Sequence, residues 1–177
     1  EQFDGQVVPQ GETFSFNNIL KDATSKNGYR MAKVIMNGAT KYGWGGGICQ
    51  ISTTIFRSAF NTGLPVPERR NHSYPVSYYS PQGFDATIYL GQQDLKFTND
   101  TSGDVMLQFV VSGDDLLVLM YGTKDRQTKV SGPYQSGMSY KWFRTVYQAG
   151  EKREQTLFSR YKPEVKPVVV VENILPE

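Results

Sequence analysis

Gly43-Trp44-Gly45-Gly46-Gly47-Ile48-Cys49-Gln50-Ile51-Ser52-Thr53-Thr54-Ile55-Phe56-Arg57-Ser58-Ala59-Phe60 decides how this 177-residue chain is read. Its glycines permit positive φ and close approach of backbone. Ile48, Ile51, Ile55 and Ala59 then recur at helical spacing, which predicts a helix starting near Cys49 and stopping at Gly63. Such a start puts the only cysteine of the chain in a first helical turn, where unpaired N–H groups and the helix dipole favour a thiolate. The only histidine, His72, follows in Glu68-Arg69-Arg70-Asn71-His72-Ser73. A Cys-His nucleophile is one reading. A cysteine buried as a small hydrophobe is the other, and sequence spacing leaves both open.

Around this stretch, composition sets bounds. The hydrophobic fraction of 38% with 13% aromatic residues argues for a folded chain, and the Tyr and Phe content suits strands. A length of 177 residues allows one domain, or one domain with a small appendage. The 19 basic and 17 acidic residues nearly balance, so bulk charge gives no reason to expect a nucleic-acid partner. One cysteine precludes an intrachain disulfide, and one cysteine with one histidine gives no expectation of a metal site. No cofactor is implied. No apolar run is long enough to span a bilayer, and Glu1-Gln2-Phe3-Asp4-Gly5 reads as the interior of a longer chain whose export signal lies upstream.

Along the chain, residues 1–8 read as a linker, and Thr13-Phe14-Ser15-Phe16 as a short strand. Tyr29 to Met36 alternates only in part and reads as strand or helix, with a helix leading to Asn37-Gly38 preferred. After Gly63-Leu64-Pro65-Val66-Pro67 the pattern changes to period two. Asp85 to Leu90 and Leu95 to Phe97 read as strands, and Val105 to Val111 with Leu116 to Tyr121 as a hairpin about Ser112-Gly113-Asp114-Asp115. Lys124-Asp125-Arg126-Gln127 marks a boundary. Beyond it, Ser139 to Tyr147 and Glu154 to Tyr161 form a second hairpin, and Val168 to Val171 a final strand or a linker to a further module. The expected fold is α+β, with the glycine loop and helix packed on a mainly antiparallel sheet and a C-terminal β-hairpin appended over 124–177.

Gly45-Gly46-Gly47-Ile48-Cys49-Gln50-Ile51-Ser52-Thr53-Thr54 closely resembles the VanW-like domain family. The resemblance extends through Gly11-Glu12-Thr13-Phe14-Ser15-Phe16-Asn17, Gly28-Tyr29, Glu68 to Ser73, Pro75 to Tyr79, Gly83 to Thr87 and Asp94 to Asn99. All blocks stand in order between about Pro9 and Gly122, so the expected VanW-like domain is 9–123. The resemblance implies an exported bacterial protein on the outer side of the membrane, associated with the cell wall, in a family named from a vancomycin-resistance cluster. It further implies a cysteine L,D-transpeptidase that forms 3→3 cross-links between peptidoglycan stem peptides, with Cys49 as nucleophile.

That chemistry assigns candidate roles, each with a plainer counterpart. His72 is the candidate general base and acid. Asp85 is the candidate third member that orients it, or a turn carboxylate, and Asn71 is the alternative orienter. The N–H of Cys49 with that of Gly46 or Gly47 is a candidate oxyanion hole, or the glycines form a simple turn. Arg69 and Arg70 are candidates to hold a stem-peptide carboxylate, or solvated surface. Trp44 and Tyr78 are candidate substrate contacts, as is Ser52, whose plainer role is helix capping. Two functional competitors stand beside transfer: a cysteine endopeptidase built from the same residues, and a non-catalytic wall-binding module in which Cys49 is structural.

Overall fold

The computed structural model describes residues 2–20, 22–36 and 39–163, and their side chains outside 32–41. In chain order the elements are β1 (Val7–Val8), β2 (Thr13–Ser15), α1 (Phe16–Ile19), β3 (Met31–Met36), β4 (Ala39–Trp44), α2 (Ile48–Asn61), β5 (Lys96–Thr98), β6 (Val105–Ser112), β7 (Asp115–Tyr121), β8 (Arg126–Ser136), β9 (Ser139–Gln148) and β10 (Glu151–Arg160). Among the described residues all strand pairs are antiparallel, in sheets ordered β1-β6-β7, β10-β9-β8, β2-β5 and β3-β4. The α+β class read from the sequence holds.

The helix α2 is the pivot. Its inward face carries Ser52, Thr53, Ile55, Phe56, Ala59 and Phe60, a stripe at helical spacing. Phe56 and Phe60 each meet Phe84 edge-on at 5.3 Å, and Phe84 stacks on Trp142 of β9 at 4.6 Å. A second aromatic group closes the other side, with Phe3 on Phe16 at 4.4 Å and Phe14 on Phe97 at 4.6 Å. Residues 2–8, expected as a linker, therefore contribute Phe3 to the core and pair β1 with β6. At the other end of α2, buried Arg144 donates to the carbonyls of Phe60 (3.0 Å) and Leu64 (2.9 Å). A cation on those last carbonyls docks the C-terminal sheet onto the helix end.

Both expected hairpins are present. β6 and β7 join through Gly113-Asp114, with Gly113 at φ 60°, and β9 and β10 pair from Ser139–Arg160 to Gln148–Glu151. Three readings need correction. Tyr29 to Met36 is not helical: Met31–Met36 is a strand, registered from Met31 with Trp44 to Met36 with Ala39. Six residues are too few for a self-supporting helix, and the partner strand offers a complete ladder. Asp85 to Ile88 forms no strand and Leu90 lies in a turn; among the described residues the run joins no sheet, apart from a bridge between Tyr89 and Gln93. Its backbone groups go instead to side chains of α2 and to Arg70 O. The C-terminal hairpin gains a third strand, β8, whose register slips between Ser131 and Tyr134 at Gly132-Pro133. Those two residues form a bulge against which the Trp142 ring packs. Residues 168–171, expected as a strand or linker, lie outside the described residues.

Candidate active site

Gly47 begins α2 as its N-cap with φ 91°, a left-handed conformation suited to glycine, and offers no side chain to the first turn. Gly45 accepts from Ile48 N–H at 3.3 Å, and Gly47 O accepts from Gln50 and Ile51 N–H at 3.0 and 3.1 Å. Among the described residues no hydrogen bond ties down the Cys49 N–H. Cys49, half-buried, thus sits in a first turn whose open amides and dipole favour negative charge.

The opposing wall is the segment after Asp85. Ser52 Oγ donates to Ala86 O at 2.6 Å, and Thr53 Oγ1 both accepts from Ala86 N–H (3.0 Å) and donates to Ala86 O (3.2 Å). These two buried hydroxyls clamp the segment onto the helix one turn beyond the thiol. Thr87 Oγ1 then lies 3.7 Å and Ile88 O 3.9 Å from Cys49 Sγ. The Ser52 side chain faces this clamp in full burial rather than capping the helix. The N-cap position belongs to Gly47.

His72 completes the group. Its Nδ1 pairs with Asp85 Oδ2 at 2.5 Å, and its backbone N–H donates to the same oxygen at 2.8 Å. With Nδ1 engaged, Nε2 is the ring nitrogen left for Cys49. Tyr79, buried, stacks on the imidazole at 4.8 Å and sets its plane. Burial alone pulls the imidazole down, but hydrogen bonding and charge from Asp85 and Cys49 outweigh it and hold His72 at about 9. Burial likewise pushes the Cys49 thiol up, yet His72, the Ile88 backbone and Thr87 bring it below its ordinary value. Burial raises Asp85 in turn, against four donors from His72, Tyr161 and Arg69 that draw it below the usual carboxylate range. The structure thus brings Cys49, His72 and Asp85 together as a thiol, an imidazole and a buried carboxylate in sequence. This arrangement favours the thiolate–imidazolium form over the neutral pair.

The other expected residues fall into two sets. Arg69 does not face a ligand: its side chain is 5% exposed and lies 4.9 Å above the Phe56 ring. Its donors are taken by Asp85 O (2.5 Å), Ser159 Oγ (2.8 Å), Gly83 O (3.2 Å) and the Asp85 carboxylate (3.5 Å). Asn71 does not orient the imidazole either, because its amide N–H groups go to His72 O and Arg160 O, both at 2.8 Å. Arg70, Trp44 and Tyr78 are exposed and remain open to a ligand. Cavities of about 260 Å³ and 360 Å³ beyond the C-terminal end of α2 contain none of the three central groups. Among the described residues no cluster of three or more His, Cys, Asp or Glu side chains is placed to share a metal ion.

Two contributors were not read from the sequence. Arg57, two helical turns after Cys49, reaches Phe84 O (2.7 Å) and Tyr79 O (2.5 Å), pinning the loop that carries Tyr79. Its position on the same helix was the available signal. Tyr161, 76 residues from Asp85, gives its hydroxyl to Asp85 Oδ1, and no local pattern announces it.

Comparison with known proteins identifies the family. A family model described as "VanW like protein" matches residues 1–121. The chain is 35% identical over 120 residues to "Uncharacterized protein YoaR" of Bacillus subtilis (strain 168), covering 68% of this chain and 39% of that protein. It is 33% identical over 127 residues to "Vancomycin B-type resistance protein VanW" of Enterococcus faecalis (strain ATCC 700802 / V583), covering 70% of this chain and 46% of that protein. The aligned region thus spans less than half the length of either relative. No solved structure matches the chain.

Proposed function

Because the chain belongs to the VanW-like protein family, we propose that it is a cell-wall enzyme, a cysteine L,D-transpeptidase acting on peptidoglycan stem peptides on the outer side of the bacterial membrane. The observation that carries this reading is the grouping of Cys49, His72 and Asp85 at the uncapped start of α2. The name of the Enterococcus relative, a vancomycin resistance protein, accords with a wall substrate.

The reaction runs in two halves. The Cys49 thiolate attacks the carbonyl carbon of the third stem residue, and the new oxyanion sits towards the Cys49 and Gly47 N–H groups. Imidazolium Nε2 of His72 gives its proton to the departing amine, so D-Ala leaves and a thioester remains. The side-chain amine of a neighbouring stem then attacks the thioester. Neutral His72 takes its surplus proton, the C–S bond breaks, and a 3→3 amide and the thiolate–imidazolium pair result. Asp85 keeps Nδ1 protonated throughout and steadies the positive imidazolium. Arg70, Trp44 and Tyr78 are the exposed groups available to the stem peptide and its glycan.

The test is incubation of the protein and of Cys49→Ala with disaccharide-tetrapeptide, with products read by mass spectrometry. A dimer formed with loss of D-Ala, absent with the variant, supports the proposal. Cleavage without dimers would make the protein an endopeptidase. Failure of any wall peptide to react, with both proteins binding wall equally, would make it a binding module.

A further inference from the structure

The family model ends at residue 121, and the strands that follow have a sheet of their own. Yet the end of β10 is fastened to the candidate site at several points. Tyr161 is buried, its ring lies 5.6 Å from that of Tyr140, and its hydroxyl meets Asp85 Oδ1. Gly83 N–H donates to that same hydroxyl oxygen at 2.9 Å, so the oxygen acts as acceptor there and its single proton is directed to the carboxylate. Burial, then the Asp85 charge, push the phenol far above its ordinary value, so the proton stays on the oxygen.

The residues flanking Tyr161 grip those flanking His72. Arg160 O accepts from Asn71 Nδ2 at 2.8 Å, and Lys162 N–H donates to Ser73 O at 2.7 Å. Two residues earlier, Ser159 Oγ accepts from Arg69 and donates to Gly83 O at 2.8 Å, on the other side of Asp85. The carboxylate is therefore held between donors from both parts of the chain: the His72 N–H groups on Oδ2, and Tyr161 on Oδ1.

We infer that Tyr161 is a positioning residue for Asp85, so that the Cys49-His72-Asp85 group is completed only by the sheet that lies beyond the family-matched segment. Its O–H dipole places a positive end on Oδ1, and the donor fixes the carboxylate plane so that Oδ2 stays on His72 Nδ1. Without it Asp85 keeps Arg69 alone on that oxygen, at 3.5 Å, and is free to turn away from the imidazole. A carboxylate turned away from Nδ1 no longer supports the imidazolium, and with it the Cys49 thiolate. The C-terminal sheet is on this view part of the reactive centre rather than a spacer. The inference rests on the thiolate–imidazolium reading of the site, not on the identity of the substrate.

The test uses the full chain and its single cysteine. Iodoacetamide alkylation of Cys49 is followed by mass spectrometry from pH 5 to 9 for the protein, Tyr161→Phe, Asn71→Ala and His72→Gln, with thermal melts of each. Losing one hydrogen bond to a charged group should slow alkylation of Tyr161→Phe by roughly three- to tenfold on the acid limb and move the profile to higher pH, with an unchanged plateau. Asn71→Ala, which loosens the same strand end while keeping the hydroxyl, should move the profile the same way by a smaller factor; it carries the test if Tyr161→Phe does not fold. His72→Gln should move it furthest. Wild-type profiles for both Tyr161→Phe and Asn71→Ala, with lower melting temperatures and a shifted His72→Gln profile, would make the sheet a merely structural prop and overturn the inference. A wild-type profile for His72→Gln as well would instead overturn the thiolate reading beneath it.

Discussion

Replacing Asp85 by asparagine removes one charge from the most densely hydrogen-bonded position of the site, and its consequences follow from the four donors around it. Oδ2 receives His72 N–H at 2.8 Å and Nδ1 at 2.5 Å, while Oδ1 receives Tyr161 O–H and Arg69 at 3.5 Å. An asparagine has one oxygen, so whichever side it faces, its NH2 group opposes donors on the other. Each hydrogen bond to a charged group contributes about 1.5–3 kcal/mol, and stranding the buried Arg69 guanidinium brings the loss to about 3–5 kcal/mol. For a chain of this size such a loss lowers the melting temperature by roughly 10 °C. The second readout is His72 itself, whose proton signals stand alone because the chain has one histidine. In the native protein it titrates at about 9, raised by Asp85 and Cys49 against burial. With the carboxylate gone, burial has less opposing it and the titration must fall. The sign carries through to stability. A folded-state value above the ordinary 6.5 contributes stability that is fully present below that pH and lost as pH rises through about 9. The gap between native and Asp85→Asn should therefore be widest near pH 6 and narrow towards pH 9. A His72 that still titrates near 9 in Asp85→Asn, or a melting temperature that does not move, would refute the reasoning.

The rate of cross-linking, or of alkylation for the acid side, should rise as Cys49 ionises at a pH below that of an ordinary thiol. On the proposed mechanism turnover should fall again above about 9, as His72 loses the proton assigned to the leaving amine; a flat turnover profile from pH 7 to 10.5 would contradict the assigned acid. Ser52→Ala removes one of two hydroxyls on Ala86 O and should cost about 1 kcal/mol in urea denaturation without changing substrate KM. A raised KM at unchanged stability would make Ser52 a substrate contact after all. Phe56→Ala empties the space between Phe60, Phe84 and the Arg69 guanidinium and should cost about 3–5 kcal/mol, read by the same denaturation.

What the sequence disclosed and what it withheld divide along a physical line. The helix α2 was legible because its periodicity is local and its buried face repeats the apolar spacing. The β6–β7 and β9–β10 hairpins were legible because their turns carry Gly113-Asp114 and Ala149-Gly150. Cys49, His72 and Asp85 stood out as rare or chemically apt residue types, and the fold brings them together. Arg69 misled because a charged pair in a loop looks solvated, whereas Ser159, 90 residues away, and Phe56 draw it inside. Tyr29 to Met36 misled because a short mixed pattern is settled by the strand beside it. The run after Asp85 misled because a period-two pattern does not say what satisfies the backbone's hydrogen bonds. Here the hydroxyls of α2 do so in place of a neighbouring strand.

The glycine at the head of α2 has a bearing on how this protein can be engineered. A serine, threonine or aspartate at a helix N-cap typically adds about 1 kcal/mol, and a stabilisation campaign would rank position 47 among its first targets. Here the gain would be self-defeating. A side chain at φ 91° is strained, and an oxygen that bonds the first-turn amides would occupy them and set an acceptor beside the thiol. The helix begins less firmly than it could, and in return its opening amides stay vacant for negative charge, such as the oxyanion of the proposed reaction. Attempts to harden this protein should start at the far end of α2, where Arg144 already closes the last turn, and leave the glycines alone.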